Sequence, residues 1–394
     1  MPGAEKAALP QKAGNAAPPS AILGGIMKNK KLITTLILVL AIGCLSVGSF
    51  FIGRLTSPDK SDEKIAAENA ARAQSLLESK IRLSCDENGD FTTMILADVH
   101  ATGPISMGSR EKIKMIVDEE EPDLIIFTGD NACCQNEEEL RKALDSIVGY
   151  IEEKQIPWCH VYGNHDHEGG MTKAQMQAVY ESYPHCLSKW GDKSLTGVGN
   201  YVLPIYEYES DDISSLVWCL DSGNYLSEED EKGLIPVKDT DYSGWTGTHY
   251  DYIHADQIAW YYQSSQFLEE YYNDFLPSIM AFHIPLQETY YAWQNRSKLS
   301  YTGEKNDPVG ASQINSGLFT ALVERGDVLA VVNGHDHIND YMVEYMGIKL
   351  CYSPVASTHG YHDDAMRMLG SRIFKTNSND PYEIETYVHY MYRE

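Results

Sequence analysis

The chain has 394 residues, 43% hydrophobic and 22% charged, which suits a globular protein with room for one large or two medium domains. Its 57 Asp and Glu outnumber 31 Lys and Arg, for a formal net charge of −26. That balance argues against a protein that grips nucleic-acid backbone, which needs clustered positive charge. It suits an externally facing protein kept soluble by self-repulsion, or a site that gathers cations.

Residues 1–26 are Ala, Pro, Gly and Lys without periodicity and read as a disordered tail. "KNKK" at 28–31 then precedes an uncharged run from Leu32 to Gly53, close to the roughly 20 residues that cross a bilayer as a helix. Lysines on its N-terminal side place the N-terminus in the cytoplasm and the bulk of the chain outside. A single-pass signal anchor over 27–54 in the cell membrane is the expectation. A cleaved signal peptide, and a lipoprotein acylated at Cys44 in "LAIGC", are the alternatives. Residues 55–88 contain the helix-prone stretch "SPDKSDEKIAAENAARAQSLLESKIR", predicted as a helical stalk that ends in the turn residues "CDENGD".

From residue 89 to 394 the pattern is that of one folded domain. "FTTMILA", "DLIIFTG" and "IPWCHVYG" read as strands, separated by the helices "REKIKMIVDEEE" and "NEEELRKALDSIVGYIEEK". The strand "SSLVWCLD" and the helix "HADQIAWYYQSSQFLEEYYND" follow, then the strand "PSIMAFHI" and the helix "SGLFTALVERG". The strand "VLAVVNG" and a hairpin in "YMVEYMGIKLCYS" come last. Near-continuous apolar strands alternating with helices predict an α/β fold with a largely parallel sheet. Two insertions, roughly 226–252 and 286–312, are rich in Tyr, Trp, Gly and Asp and suit a rim or lid. Cysteines other than Cys44 number seven, with no repeated spacing, so they form no disulfide framework. Cys219 and Cys351 fit small core positions, and the vicinal Cys133 and Cys134 fit loop thiols.

Five of the apolar runs end in Asp, Asn or His: Asp98 and His100, Asp130, Asn164 with His165 and Asp166, His283, and His335 with His337. Carboxyl ends of parallel strands lie along one edge, where ligands bind, so these groups are expected to meet. Carboxylate, amide and imidazole are ligands for transition-metal ions, and no thiolate joins them. Asp98 and His100, two apart on an extended backbone, would point the same way and chelate one ion. His335 and His337 would serve two adjacent ions, and Asp130 would bridge them. Two metals roughly 3.5–4 Å apart can hold a bridging hydroxide as nucleophile and neutralise a phosphoryl group. His165 would donate a proton to the leaving group, its ring held by Asp166 or a neighbouring carboxylate. His167 reads as a loop residue, and Gly163 as the position that turns the chain sharply out of its strand.

In this order the motifs D-x-H, G-D, G-N-H-D, H and G-H-x-H resemble the calcineurin-like metallophosphoesterase superfamily, from about residue 91 to the C-terminus. "DQIAWY", "FHIPLQE", "NSGLFTALVERGDV" and "NGHDHINDY" are similar to its purple-acid-phosphatase-like branch in plants and fungi. The resemblance implies a four-layer α/β/β/α sandwich holding two divalent or trivalent metal ions. Asp98, His100, Asp130 and His337 would hold the first, and Asp130, Asn164, His283 and His335 the second. True purple acid phosphatases carry a tyrosine ligand where this chain has Cys133, and they lack a histidine at the position of His100. The Fe(III)–tyrosinate colour is therefore not expected, and Fe, Mn and Zn all stay open.

The function implied is a membrane-anchored phosphatase acting on phosphate esters, monoesters ahead of diesters, with nucleic acid an unfavoured partner. The alternatives are a phosphodiesterase acting on nucleotides or oligonucleotides, and a non-catalytic metal-binding surface protein. Asp221, His254, His359, His362, Arg296 and Lys298 are weaker candidates for the pocket, and substrate and oligomeric state are left open.

Overall fold

The computed structural model describes residues 60–234, 249–359 and 368–391. Helix α1 (Lys60–Leu77) leads into the short strand β1 (Leu83–Ser84). Two βαβ steps then build one sheet. β2 (Asp90–Leu96), β3 (Leu124–Thr128) and β4 (Trp158–Val161) lie parallel and adjacent. They alternate with α2 (Met107–Glu120), α3 (Glu137–Glu153) and α4 (Lys173–Tyr180). Each of these helices starts where a short polar side chain can take an orphan backbone N–H. Ser106, Asn136 and Thr172 accept from Ser109, Glu139 and Gln175 respectively.

The second sheet is built from β5 (Tyr201–Tyr206), β6 (Ile213–Cys219), β7 (Ser278–Ala281), β8 (Tyr301–Thr302), β9 (Val328–Asn333), β10 (Met342–Tyr345) and β11 (Ile348–Tyr352). Its strand order is β1-β5-β6-β7-β9-β11-β10-β8, with β6, β7, β9 and β11 parallel at its centre. Helices α5 (Glu228–Glu231), α6 (Ala255–Tyr272), α7 (Gln287–Gln294) and α8 (Leu318–Arg325) connect these strands. The C-terminal hairpin of β12 (Gly370–Asn377) and β13 (Ile384–Tyr390) completes the first sheet in the order β13-β12-β2-β3-β4.

Three buried apolar clusters set the layering. Met94, Ile125 and Phe127 pack with Ile113, Ile116, Leu140 and Leu144 between the smaller sheet and its helices. Trp218, Met280 and Val331 pack with Tyr261, Leu268 and Leu322 between the larger sheet and its helices. Ile95, Ile126, Val161, Val217, Ile279 and Val332 fill the space between the sheets. Both faces of each sheet are thus covered, which is why the central strands carry apolar residues continuously.

The sequence reading missed β5, β12 and β13. Pro204 lies within β5, opposite Leu216, and Arg372 is fully buried in β12. Neither residue advertises a strand. Arg372 is satisfied by the carbonyls of Tyr352 and Asp340 and by Thr386 Oγ1. The region expected as a stalk packs instead of standing free from Ala73 onward. Ala73 and Leu77 join the apolar cluster of the larger sheet. Leu83 and Ser84 pair with β5, and the half-buried Lys189 binds the carbonyls of Leu76, Glu78 and Val202. The apolar run 32–53 lies outside the described residues, and among the described residues no helix is long and apolar enough to cross a membrane. Residues 64–394 form one compact unit.

Candidate metal centre

The five strand ends converge, but from two sheets instead of one. β2, β3 and β4 deliver Asp98, His100, Asp130 and Asn164, while β7 and β9 deliver His283, His335 and His337. Ligand atoms of Asp98, His100, Asp130 and His337 all lie within 4.8 Å of one another, as do those of Asp130, His283 and His335. In the first group His337 Nε2 is 3.0 Å from His100 Nε2 and 3.5 Å from Asp98 Oδ1, and His100 Nε2 is 3.7 Å from Asp130 Oδ2. In the second, His283 Nε2 lies 3.2 Å from Asp130 Oδ2, 3.1 Å from Asn164 Oδ1 and 3.2 Å from His335 Nδ1. Asp130 Oδ2 is common to both.

The backbone that aims these groups is not extended. Asp98, His100, Asp130 and His335 all have φ between 51 and 75°, the left-handed region that non-glycine residues rarely occupy outside functional turns. The expected extended D-x-H geometry is therefore replaced by a tight left-handed one. It is held by Asp98 N–H to the carbonyl of Gly129 (3.1 Å) and His100 N–H to that of Asp130 (2.8 Å). The glycines act mainly through lack of bulk. Gly163 is absent from the positive-φ residues, but a Cβ there would overlap the Asp130 carboxylate and backbone. On Gly129 it would strike His283, on Gly334 it would lie 2.6 Å from Asp98 Oδ2, and on Gly310 2.6 Å from His335 Nε2. Each of these glycines lets a metal-ligand candidate from another strand end approach the backbone.

Electrostatics follow from burial. His283 Nδ1 donates to the carbonyl of Thr128 at 2.8 Å, which leaves Nε2 facing the site, as the outer hydrogen bond of a metal-binding imidazole usually does. Burial disfavours the His283 imidazolium, but Asp130 beside it outweighs that and lifts it to about 9. Burial holds His100 and His337 neutral, lowered to about 4 and about 3. Asp98 and Asp130 are buried carboxylates, and the ion pairs recorded for them among the described residues all run to histidines. Two buried carboxylates among four rings, without Lys or Arg in the set, call for cationic charge. An oxygen and nitrogen donor set of this kind fits transition-metal ions.

His165 stands beside the cluster, its ring centroid 5.5 Å from that of His100 and its side chain 35% exposed. Its N–H donates to Asp130 Oδ1 at 2.8 Å. Asp166 does not hold this ring. Its carboxylate accepts four backbone N–H groups, from Asp130 (3.0 Å), Asn131 (2.7 Å), Ala132 (2.9 Å) and Gly163 (2.7 Å), and so binds two site loops together. The neighbouring carboxylate is Glu168, whose Oε2 is 2.8 Å from His165 Nδ1. Tyr225 and Tyr250 also border the site. Tyr225 Oη accepts from Asn164 Nδ2 at 2.9 Å, and the Tyr250 ring meets His335 edge-on at 4.3 Å. Glu168 was legible in principle, three residues past His165 in a turn closed by its own N–H to the His165 carbonyl. Tyr225 and Tyr250 were not, because only the fold brings their insertion over the site.

The weaker candidates lie elsewhere or act structurally. Asp221 is buried and takes Lys173 Nζ (2.7 Å) and the N–H groups of Val198 and Gly223. His254 pairs with Asp251 at 3.1 Å. Arg296 lies over Trp293 and donates to its carbonyl, Lys298 ends the short 3₁₀ turn that Arg296 begins, and His362 lies outside the described residues. His359 follows Ser357, whose hydroxyl donates to the Val99 carbonyl beside the site. Cys133 and Cys134 are both free thiols.

The model of the calcineurin-like phosphoesterase family matches residues 91–339. "Probable inactive purple acid phosphatase 14" of Arabidopsis thaliana is 35% identical over 61% of this chain and 60% of its own length. "Probable inactive purple acid phosphatase 29" of the same plant is 29% identical over 72% of this chain and 75% of its own. "Phosphatase DCR2" of Saccharomyces cerevisiae is 30% identical over 66% of this chain and 46% of its own. The chain thus spans well under two thirds of the yeast relative and just under two thirds of the first plant relative.

Proposed function

Because this chain belongs to the calcineurin-like phosphoesterase family, we propose that it is a dinuclear-metal phosphoric ester hydrolase, acting on monoesters ahead of diesters. The observation that carries this reading is the gathering of Asp98, His100, Asp130, His283, His335 and His337, with Asn164, beside an accessible His165. Asp98, His100, Asp130 and His337 would hold one ion, and Asp130, Asn164, His283 and His335 the other. Bound there, the ions supply Lewis-acid charge neutralisation and an activated water at neutral pH. The chain's own contribution is placement. Asp130 fixes His165 through its backbone N–H, and the partly exposed ring can reach a leaving oxygen and protonate it. The segment 27–54 is proposed to anchor the protein in the cell membrane with the hydrolase domain outside.

One observation favours a second reading, a non-catalytic metal-binding protein: the names of two plant relatives include the word "inactive". Against it stands the full donor set in this chain. Turnover decides. The metal-loaded protein, given Mn, Fe or Zn, is expected to hydrolyse aryl and alkyl phosphate monoesters, and His165→Ala to lose about 10²-fold or more in kcat on the alkyl ester, whose leaving oxygen needs the proton. No turnover of mono- or diester with any of the three metals sinks the hydrolase reading, and alkyl-ester turnover unaffected by His165→Ala sinks the assignment of His165 as proton donor.

A further inference from the structure

We propose that Glu168 and Tyr225 are positioning residues that join the proton donor His165 to the metal-ligand candidate Asn164 in one hydrogen-bonded unit. This rests on the hydrolase reading above. A carboxylate only accepts, so the 2.8 Å contact between Glu168 Oε2 and His165 Nδ1 places a proton on Nδ1. Nε2 is then the nitrogen that gives its proton to the leaving oxygen as the P–O bond breaks. The ring ends neutral, with Nδ1–H still on Glu168. The second carboxylate oxygen, Oε1, accepts from Tyr225 Oη at 3.1 Å. With its own proton so engaged, the phenol oxygen can only accept from Asn164, and it does so from Nδ2 at 2.9 Å. Asn164 Oδ1 is thereby turned to the other side, 3.1 Å from His283 Nε2. Donation converges on the Glu168 carboxylate, from the amide through the phenol on one side and from the imidazole on the other, so Tyr225 selects which amide atom faces the metal position.

The unit spans both sheets. Glu168 sits on the turn after β4, and Tyr225 follows β6, held by a bridge to Tyr250 and by ring stacking at 5.8 Å. Asp166 cannot replace Glu168, because its carboxylate is engaged by four backbone N–H groups. The bland reading is an exposed ion pair, with His165 and Glu168 side chains 35% and 41% exposed. Such a pair contributes little to stability, so the two readings separate on chemistry and metal binding.

The test compares Glu168→Gln, Glu168→Asp and Tyr225→Phe with the full-length wild type. The readouts are thermal midpoint, Mn(II) titration of the metal-free protein, and kcat and KM on an aryl phosphate and an alkyl phosphate. An alkyl leaving group needs the proton, whereas a nitrophenolate barely does. Glu168→Gln is expected to keep its thermal midpoint and KM and to lose about tenfold in kcat on the alkyl ester, with much less loss on the aryl ester. Glu168→Asp is expected to restore part of that loss. Tyr225→Phe is expected to weaken one of two Mn(II) sites about tenfold. Equal effects of Glu168→Gln on both esters, or none on either, overturn the proposal, as does a Tyr225→Phe protein with unchanged Mn(II) binding. If the wild type turns over neither ester, the hydrolase reading fails, and the Mn(II) titration of Tyr225→Phe alone decides the link to Asn164.

Discussion

Asp130 presents its two carboxylate oxygens to different tasks. Oδ1 accepts the His165 N–H, while Oδ2 faces His283 and His100 at 3.2 and 3.7 Å. Its motif, G-D, occurs by chance in many chains, and only the other strand ends made it legible. The role of Asp166 was misread for a related reason: in sequence it adjoins the histidine, but in space it faces four backbone amides. Removing it strands those buried donors, so Asp166→Ala is expected to cost about 3 kcal/mol or more of folding stability by denaturant titration. Glu168→Gln, on a half-exposed side chain, should cost far less. His283 gives the pH dependence. In the metal-free protein Asp130 lifts it to about 9, so the ring is protonated at neutral pH, and a metal must displace that proton. Apparent metal affinity should therefore fall as pH falls below about 9, and uptake at pH 7.5 should release about one proton through this ring. Calorimetry in buffers of different ionisation enthalpy measures that release, and His283→Gln should abolish its share.

At the scale of elements, strand ends were readable because β2, β3, β4, β7 and β9 are buried on both faces and so appear as unbroken apolar runs. The strands next to the edges were not, because Pro204 and the buried Arg372 disguise β5 and β12. Nor could a linear pattern reveal that the strands belong to two sheets. The second insertion is joined to the site from beneath. Asp336 accepts the Gly310 N–H and the Tyr352 hydroxyl, and Asn339 accepts those of Asn306 and Asp307. That insertion read as a rim or lid, and its last residues lie against the metal-ligand candidates, Gly310 beside His335. The region before residue 89 carries a direct consequence. A fragment beginning at residue 89 loses Ala73, Leu77, β1 and two of the three carbonyls that Lys189 binds, those of Leu76 and Glu78. It is expected to unfold several degrees below a fragment beginning at Lys64, since burying even one Leu contributes about 2 kcal/mol. Equal midpoints would show that α1 adds nothing to the domain.

The whole molecule explains why metal chemistry, rather than a basic phosphate clamp, carries the reading. With a net charge of −26, the protein repels a phosphate ester at long range, and a cationic centre is needed to hold one. Both sheets contribute to that centre, so it forms only when the two halves of the sandwich pack together. The family was legible from the ordered motifs, and the two-sheet fold only through the resemblance they carry, whereas the substrate was not, because the walls of the pocket come from insertions without a repeating pattern. Five strand ends are expected to build a centre for two metal ions. The most direct measurement is the number of Mn or Zn ions bound per chain at saturation by the metal-stripped protein. Two are expected, reduced to one or none when Asp130, shared by both sites, is changed to Asn. A wild-type count of one or zero, or a count of two that survives Asp130→Asn, would contradict that expectation.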